Sequence, residues 1–165
     1  MKPLIGIDLD ETIVMWPEDN RVWENLSLTE IEEYPGSSEI VQNWVKDGIS
    51  VAYITFRSLI YKEDTLAWLR LHNFPNPENI YFGYEYMFKS DIVKKLGAVG
   101  MIDDDIEVIQ DCINKRQLGF WHDFKFEEYL VDSKLFLPWK TWESLDKLVR
   151  HNLLIKKWGD YLYSG

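Results

Sequence analysis

The sequence predicts an α/β fold, a three-layer Rossmann-like parallel sheet with helices on both faces and a small insert after the first strand. Strand-like apolar runs alternate with helix-like periods along the chain, which implies right-handed crossovers between parallel strands. Three of the runs end in groups suited to phosphate or metal chemistry: Asp8 and Asp10, Thr55, and Asp103 and Asp104. Ligands of such sheets bind at the carboxyl ends of the strands. The chain has 165 residues, 46% of them hydrophobic, which is enough for one domain, 1–165, with a sizeable core.

Residues 3–8 read as the first strand. Residues 13–36 show no sustained period and form the expected insert, a small lid with a short helix near Leu28–Glu33. Ser37-Ser38-Glu39 opens a helix through Ile40, Val41, Trp44 and Val45 that stops at Gly48. Ile49–Ile54 is the second strand, and a helix over Lys62–Leu71 follows. Pro75 and Pro77 mark a loop before a short third strand, Ile80–Phe82. Lys89-Ser90-Asp91 starts a helix ending at Gly97, and Ala98–Ile102 is a fourth buried strand. Ile106–Lys115 is helical, with Asp105 as a candidate cap. A fifth strand falls at Gly119–Trp121 or at Tyr129–Val131, and the pattern does not choose between them. A last helix spans about Trp142–Leu154, so that 117–165 completes the sheet and adds the terminal helix.

Composition narrows the function classes. The net charge of −10 argues against stable binding to a nucleic-acid backbone or to an anionic membrane. Cys112 is the one cysteine, so no intrachain disulfide forms, and an intracellular, cytoplasmic location is expected. No apolar stretch approaches the roughly 18 residues that span a bilayer. Eight tryptophans are more than one small core absorbs, so some are expected at the surface or in a pocket. His72, His122 and His151 lack metal-ligand spacing and are read as incidental; no Cys–His zinc pattern and no Gly-rich phosphate loop occurs.

The chemistry concentrates in Leu4–Thr12, where an apolar run stops at two aspartates spaced i, i+2. At a strand end both can converge on one point. Like charges so close call for a cation, and Mg2+, which takes hard oxygen ligands and keeps waters, is the natural one. The alternative is a plain strand-to-turn junction with Thr12 as a cap.

Taken together, these residues resemble the haloacid dehalogenase superfamily of phosphotransferases. Asp8-Leu9-Asp10-Glu11-Thr12 matches its first motif, Thr55 its second, Lys89 its third and Asp103-Asp104 its fourth, over roughly residues 3–110. In Ile102–Asp105 and in Pro138–Trp142 the chain is also similar to the 5'(3')-deoxyribonucleotidase-like branch. The resemblance implies that Asp8 is a nucleophile forming an aspartyl-phosphate. Asp10 would be general acid and then base, with its carbonyl on the metal. Asp103 and Asp104 would complete a site for Mg2+ with Asp8, in an order the pattern leaves open. Thr55 would bind a phosphoryl oxygen, and Lys89, favoured over Lys94 and Lys95, would neutralise charge there. Arg57 and Ser58 either reach substrate phosphate or lie in surface contacts. Trp16, Trp23 and Tyr34 either stack on a nucleobase or staple the lid. The expected activity is a Mg2+-dependent phosphomonoester hydrolase of small phosphorylated substrates, a 5'-nucleotide or deoxynucleotide foremost, with closure by a second subunit of a homodimer as an option. A polynucleotide-end or protein phosphatase is the rival enzyme, and a non-catalytic binding module the rival from another class.

Overall fold

The computed structural model describes residues 2–18, 27–83, 88–123 and 131–155. In chain order its elements are β1 (Leu4–Ile7), β2 (Val14–Met15), β3 (Glu32–Glu33), α1 (Ser37–Lys46), β4 (Ser50–Thr55), α2 (Lys62–Leu71), β5 (Ile80–Phe82), α3 (Lys89–Lys95), β6 (Gly100–Asp103), α4 (Ile106–Asn114), β7 (Leu118–His122), β8 (Phe136–Trp139) and α5 (Trp142–Arg150). Among the described residues six strands form one sheet in the order β5-β4-β1-β6-β7-β8, every pair parallel. β2 and β3 pair antiparallel beside it. No described helix is long and apolar enough to cross a membrane.

The sheet is buried on both faces because alternate residues feed two apolar layers. Ile5, Ile7, Val51, Tyr53, Ile102 and Phe120 pack with Trp44, Trp68, Trp142 and Leu145 of α1, α2 and α5. Ile54 and Met101 pack with Ile92, Val93 and Cys112 of α3 and α4. Gly6 lies where the second layer comes closest to β1: a Cβ there would stand 2.8 Å from Met101 Sδ and 3.0 Å from Ile54 Cδ1. Gly6→Ala is therefore expected to cost about 1–3 kcal/mol through overpacking, read as a lower denaturant midpoint at unchanged slope.

Local chemistry explains the helix starts. Gly36, at φ 79°, takes the position before α1, and the Glu33 carboxylate accepts from Ser37 Oγ, Ser38 N and Ser38 Oγ at 2.7–2.8 Å. That places an acid at a helix N-terminus. Asp105 caps α4 by accepting from Glu107 N, and Thr141 caps α5 by accepting from Ser144 N.

Three features depart from the sequence expectation, and one choice that the pattern left open is resolved. Residues 13–36 contain the β2–β3 hairpin, whose two-residue strands are too short to show a period, and the helix expected near 28–33 is a single 3-10 turn at Leu28–Glu30. Gly119–Trp121 lies within β7, whereas 129–130 fall outside the described residues. β8 was not anticipated because Pro138 interrupts its run; as the sheet's outermost strand it tolerates a missing N–H. The last helix ends at Arg150 and widens into a π-helical turn over His151–Ile155.

Candidate active site

The strand order sets the site. From β1 the chain steps to β4 and β5 on one side, then crosses to β6 on the other. The crevice at such a reversal, outside the strands' carboxyl ends, is where open α/β sheets bind ligands. Asp8 lies there, one residue past β1, fixed by its own N–H to Ile102 O at 2.9 Å. Asp103 is the last residue of β6, and its Oδ1 accepts from Asp105 N at 3.0 Å.

Asp8, Asp103 and Asp104 each offer a carboxylate oxygen within 4.8 Å of the others. Lys89, only 4% exposed at the start of α3, sits between two of them: Nζ donates to Asp8 Oδ1 at 2.6 Å and to Asp103 Oδ2 at 2.8 Å. Its ammonium also lies 4.8 Å from the centre of the Phe56 ring. The other Asp8 oxygen accepts from Thr12 Oγ1 at 3.1 Å. Lys94 and Lys95, in the last turn of α3, are exposed.

These contacts shape the electrostatics. Burial, the Asp8 charge and the Asp103 charge push the Asp104 carboxyl well above the usual carboxylate range. Burial and Asp8 likewise raise Asp103, against the pull of Lys89. Burial alone would lower the Lys89 ammonium, but Asp103 and Asp8 overcome it and hold it charged. Three clustered carboxylates share one buried cation, an excess of negative charge that a second, divalent cation would relieve. Their hard oxygen donors fit Mg2+.

Asp10 is not one of the three clustered carboxylates and has partners of its own. Its carboxylate accepts from Arg57 Nε at 3.0 Å, from Arg57 Nη2, and from Trp16 Nε1 at 2.8 Å. Arg57 Nη1 donates to Thr65 Oγ1 at 3.1 Å, so its guanidinium is committed to protein partners. Thr55, fully buried at the end of β4, accepts from Arg57 N at 3.1 Å. Ser58 caps the 3-10 turn Leu59–Tyr61. Trp16 thus staples the insert to Asp10, and Trp23 lies outside the described residues.

Two residues outside the four motifs also converge here. Tyr34 Oη donates to Glu11 Oε2 at 2.8 Å, and His122 Nδ1 lies 2.6 Å from the Glu11 carbonyl. Burial takes the His122 imidazole down to about 4, so the neutral ring donates through Nδ1 to that carbonyl. His122 is 111 residues from Glu11 in the chain, so no local spacing could have signalled the pair.

A family model described as PITM 1-3, LNS2 domain matches residues 8–116, more than half of the chain. A protein of Oceanobacillus iheyensis named "Putative nucleotidase" is 29% identical over 140 residues, 73% of either chain. A HAD family hydrolase from Deinococcus radiodurans, solved with phosphate and sodium, superposes with a TM-score of 0.65 at 13% identity, covering 94% of this chain and 99% of its own. The D,D-heptose 1.7-bisphosphate phosphatase of B. bronchiseptica, solved with magnesium and phosphate, gives 0.61 at 11% identity, with 89% and 97% covered. The family match places the chain: it belongs to the LNS2 domain family, and its fold is the one shared by the HAD family hydrolase and the bisphosphate phosphatase it superposes on.

Proposed function

We propose that this protein is a Mg2+-dependent phosphomonoester hydrolase working through an aspartyl-phosphate on Asp8, with a 5'-nucleotide or deoxynucleotide as substrate. The observation that carries the proposal is the setting of Asp8. It is buried at the sheet's reversal point, one oxygen on Lys89 and the other on Thr12, beside Asp103 and Asp104.

Asp8, Asp103 and Asp104 would hold the metal, with the Asp10 carbonyl as a further ligand. When bound, it would screen the repulsion between nucleophile and phosphate. An Asp8 oxygen attacks phosphorus, and the bond from phosphorus to the leaving oxygen breaks. Asp10 gives that oxygen its proton, then takes one from the water that hydrolyses the aspartyl-phosphate, releasing inorganic phosphate. Arg57 and Trp16 hold the Asp10 carboxylate in place for both transfers. Lys89 offsets charge on Asp8 and on the phosphoryl group. Thr55 closes the phosphate pocket, with Ser58 in the turn behind it, and the described residues of the insert, through Trp16 and Tyr34, border the site.

The nucleotide preference is supported by the relative from Oceanobacillus iheyensis and by a cleft of about 340 Å³ at Lys89. Phe56 and Phe88, 49% and 65% exposed, line it with Lys89, Ser90 and Val108, and the acids Asp105, Glu107 and Asp111 line it too. Exposed rings beside a phosphate site suit the face of a nucleobase. Phosphate release from an aryl phosphate is expected with Mg2+ and absent in a chelator. Mononucleotides are expected to outrun sugar phosphates, phosphopeptides and 3'-phosphorylated oligonucleotides. Silence on every phosphoester would favour a binding module instead.

A further inference from the structure

We infer that Tyr34 and His122 are positioning residues: together they hold Glu11 in a left-handed backbone conformation and so fix the turn that carries Asp8 and Asp10. The activity part of the inference rests on the phosphatase reading above; its structural part does not.

Glu11 stands at φ 59°, a region that residues with a Cβ avoid. The other described non-glycine residues with positive φ are Asn73, Asn76 and Arg116. None of these is beside the carboxylate cluster, and asparagine tolerates the conformation. Glu11 directly follows Asp10, and the turn around it is tight. Thr12 N, Ile13 N and Val14 N all donate to Leu9 O at 2.9–3.2 Å, and Glu11 N donates to Val14 O at 2.9 Å. A strained residue at a functional turn persists only where its surroundings over-determine it.

Those surroundings come from distant elements. Tyr34, one residue past β3, holds the Glu11 side chain through Oη, while its own N–H donates to Ile13 O at 2.9 Å. His122, the last residue of β7, holds the Glu11 carbonyl. The two clamp residues also meet edge to face, with ring centres 4.9 Å apart. Trp139 backs His122 as a parallel ring 4.0 Å away. Trp142 Nε1 donates to Thr12 O at 3.2 Å, pinning the next residue of the turn. The insert and the far side of the sheet therefore grip one peptide, and the described part of the insert is bolted to the nucleophile turn.

Glycine adopts positive φ without penalty, so Glu11→Gly makes the clamp unnecessary. That gives the test. In Tyr34→Phe, kcat on an aryl phosphate is expected to fall about tenfold, with KM changed less than about twofold, because the turn is misplaced rather than the substrate lost. The amides of Thr12, Ile13 and Val14 are expected to exchange hydrogen faster. Adding Glu11→Gly to Tyr34→Phe is expected to return kcat to within about threefold of the parent. His122→Asn keeps a donor near the Nδ1 position and is expected to stay close to wild type, whereas His122→Leu is expected to behave like Tyr34→Phe; this pair carries the test should Tyr34→Phe not fold. An equal loss from Tyr34→Phe in the wild-type and in the Glu11→Gly background would overturn the inference, since Tyr34 would then act on the substrate or on Asp104 directly. Unchanged exchange in the turn would overturn it too. A wild-type protein that releases no phosphate would sink the phosphatase reading, and the exchange measurement would still decide the clamp.

Discussion

Replacing Asp8 with Asn is expected to lower kcat by about 10³-fold or more, since the variant keeps the shape of the side chain and loses the oxygen proposed to attack phosphorus. In barrier terms that is about 4 kcal/mol or more. The substitution is otherwise mild. An amide oxygen can still accept from Thr12 or Lys89, and no cavity forms in the buried crevice. Stability is expected to hold or to rise, because the Asp8 charge is among the causes that push Asp103 and Asp104 up. Removing one of three crowded carboxylates relieves the other two. The paired measurement is steady-state phosphate release with chemical denaturation of the same preparation. Mass spectrometry of acid-quenched enzyme should find a phosphoryl group on the peptide holding Asp8 in the wild type and none in the variant. Retained turnover in Asp8→Asn would remove the covalent mechanism while leaving the fold assignment untouched.

The fold was legible because buried parallel strands write long apolar runs, and most helices here open on a recognisable signal. Lys62–Leu71 and Ile80–Phe82 stand where the periodicity puts them. β8 was illegible because its proline is compatible only with an outer strand, and position in the sheet is a tertiary fact. The gathering of Asp8, Lys89, Asp103 and Asp104 was anticipated because each closes a strand or opens a helix at the same rim. The partners of Asp10 were not. Arg57 lies 47 residues from Asp10, and the residue pattern leaves it as either a phosphate ligand or a surface residue; its Nε and Nη2 go to Asp10, and its Nη1 reaches Thr65 only because α2 brings that residue there. The grip on Glu11 was equally hidden, since neither a left-handed φ nor a histidine donor from β7 leaves a trace in residue spacing.

Lys89→Met should damage stability and catalysis together, and its pH dependence separates the causes. Lys89 is the shared partner of Asp8 and Asp103, all three buried. Removing one member of a buried ion pair typically costs about 3–5 kcal/mol, because the remaining charge is left without compensation. The loss in kcat is expected near 10²–10³-fold, the scale of removing a preorganised electrostatic donor. Arginine is no conservative replacement, since its planar fork cannot fill the place of a compact ammonium between two carboxylates. Burial and neighbouring charge already raise Asp103 and Asp104. A carboxyl raised on folding costs stability that grows as pH climbs from its unfolded value, about 4, to its folded one. Lys89 opposes that rise at both aspartates, so in its absence the cost continues to accumulate at higher pH. The stability deficit of Lys89→Met relative to wild type should therefore be larger at pH 8 than at pH 5, by urea denaturation in chelator. Added Mg2+ should narrow it, because a cation bound only by the folded site shifts the balance back. A deficit independent of both pH and Mg2+ would mean that Lys89 serves through packing of its stem; the charge arrangement proposed around Asp8 would then be wrong.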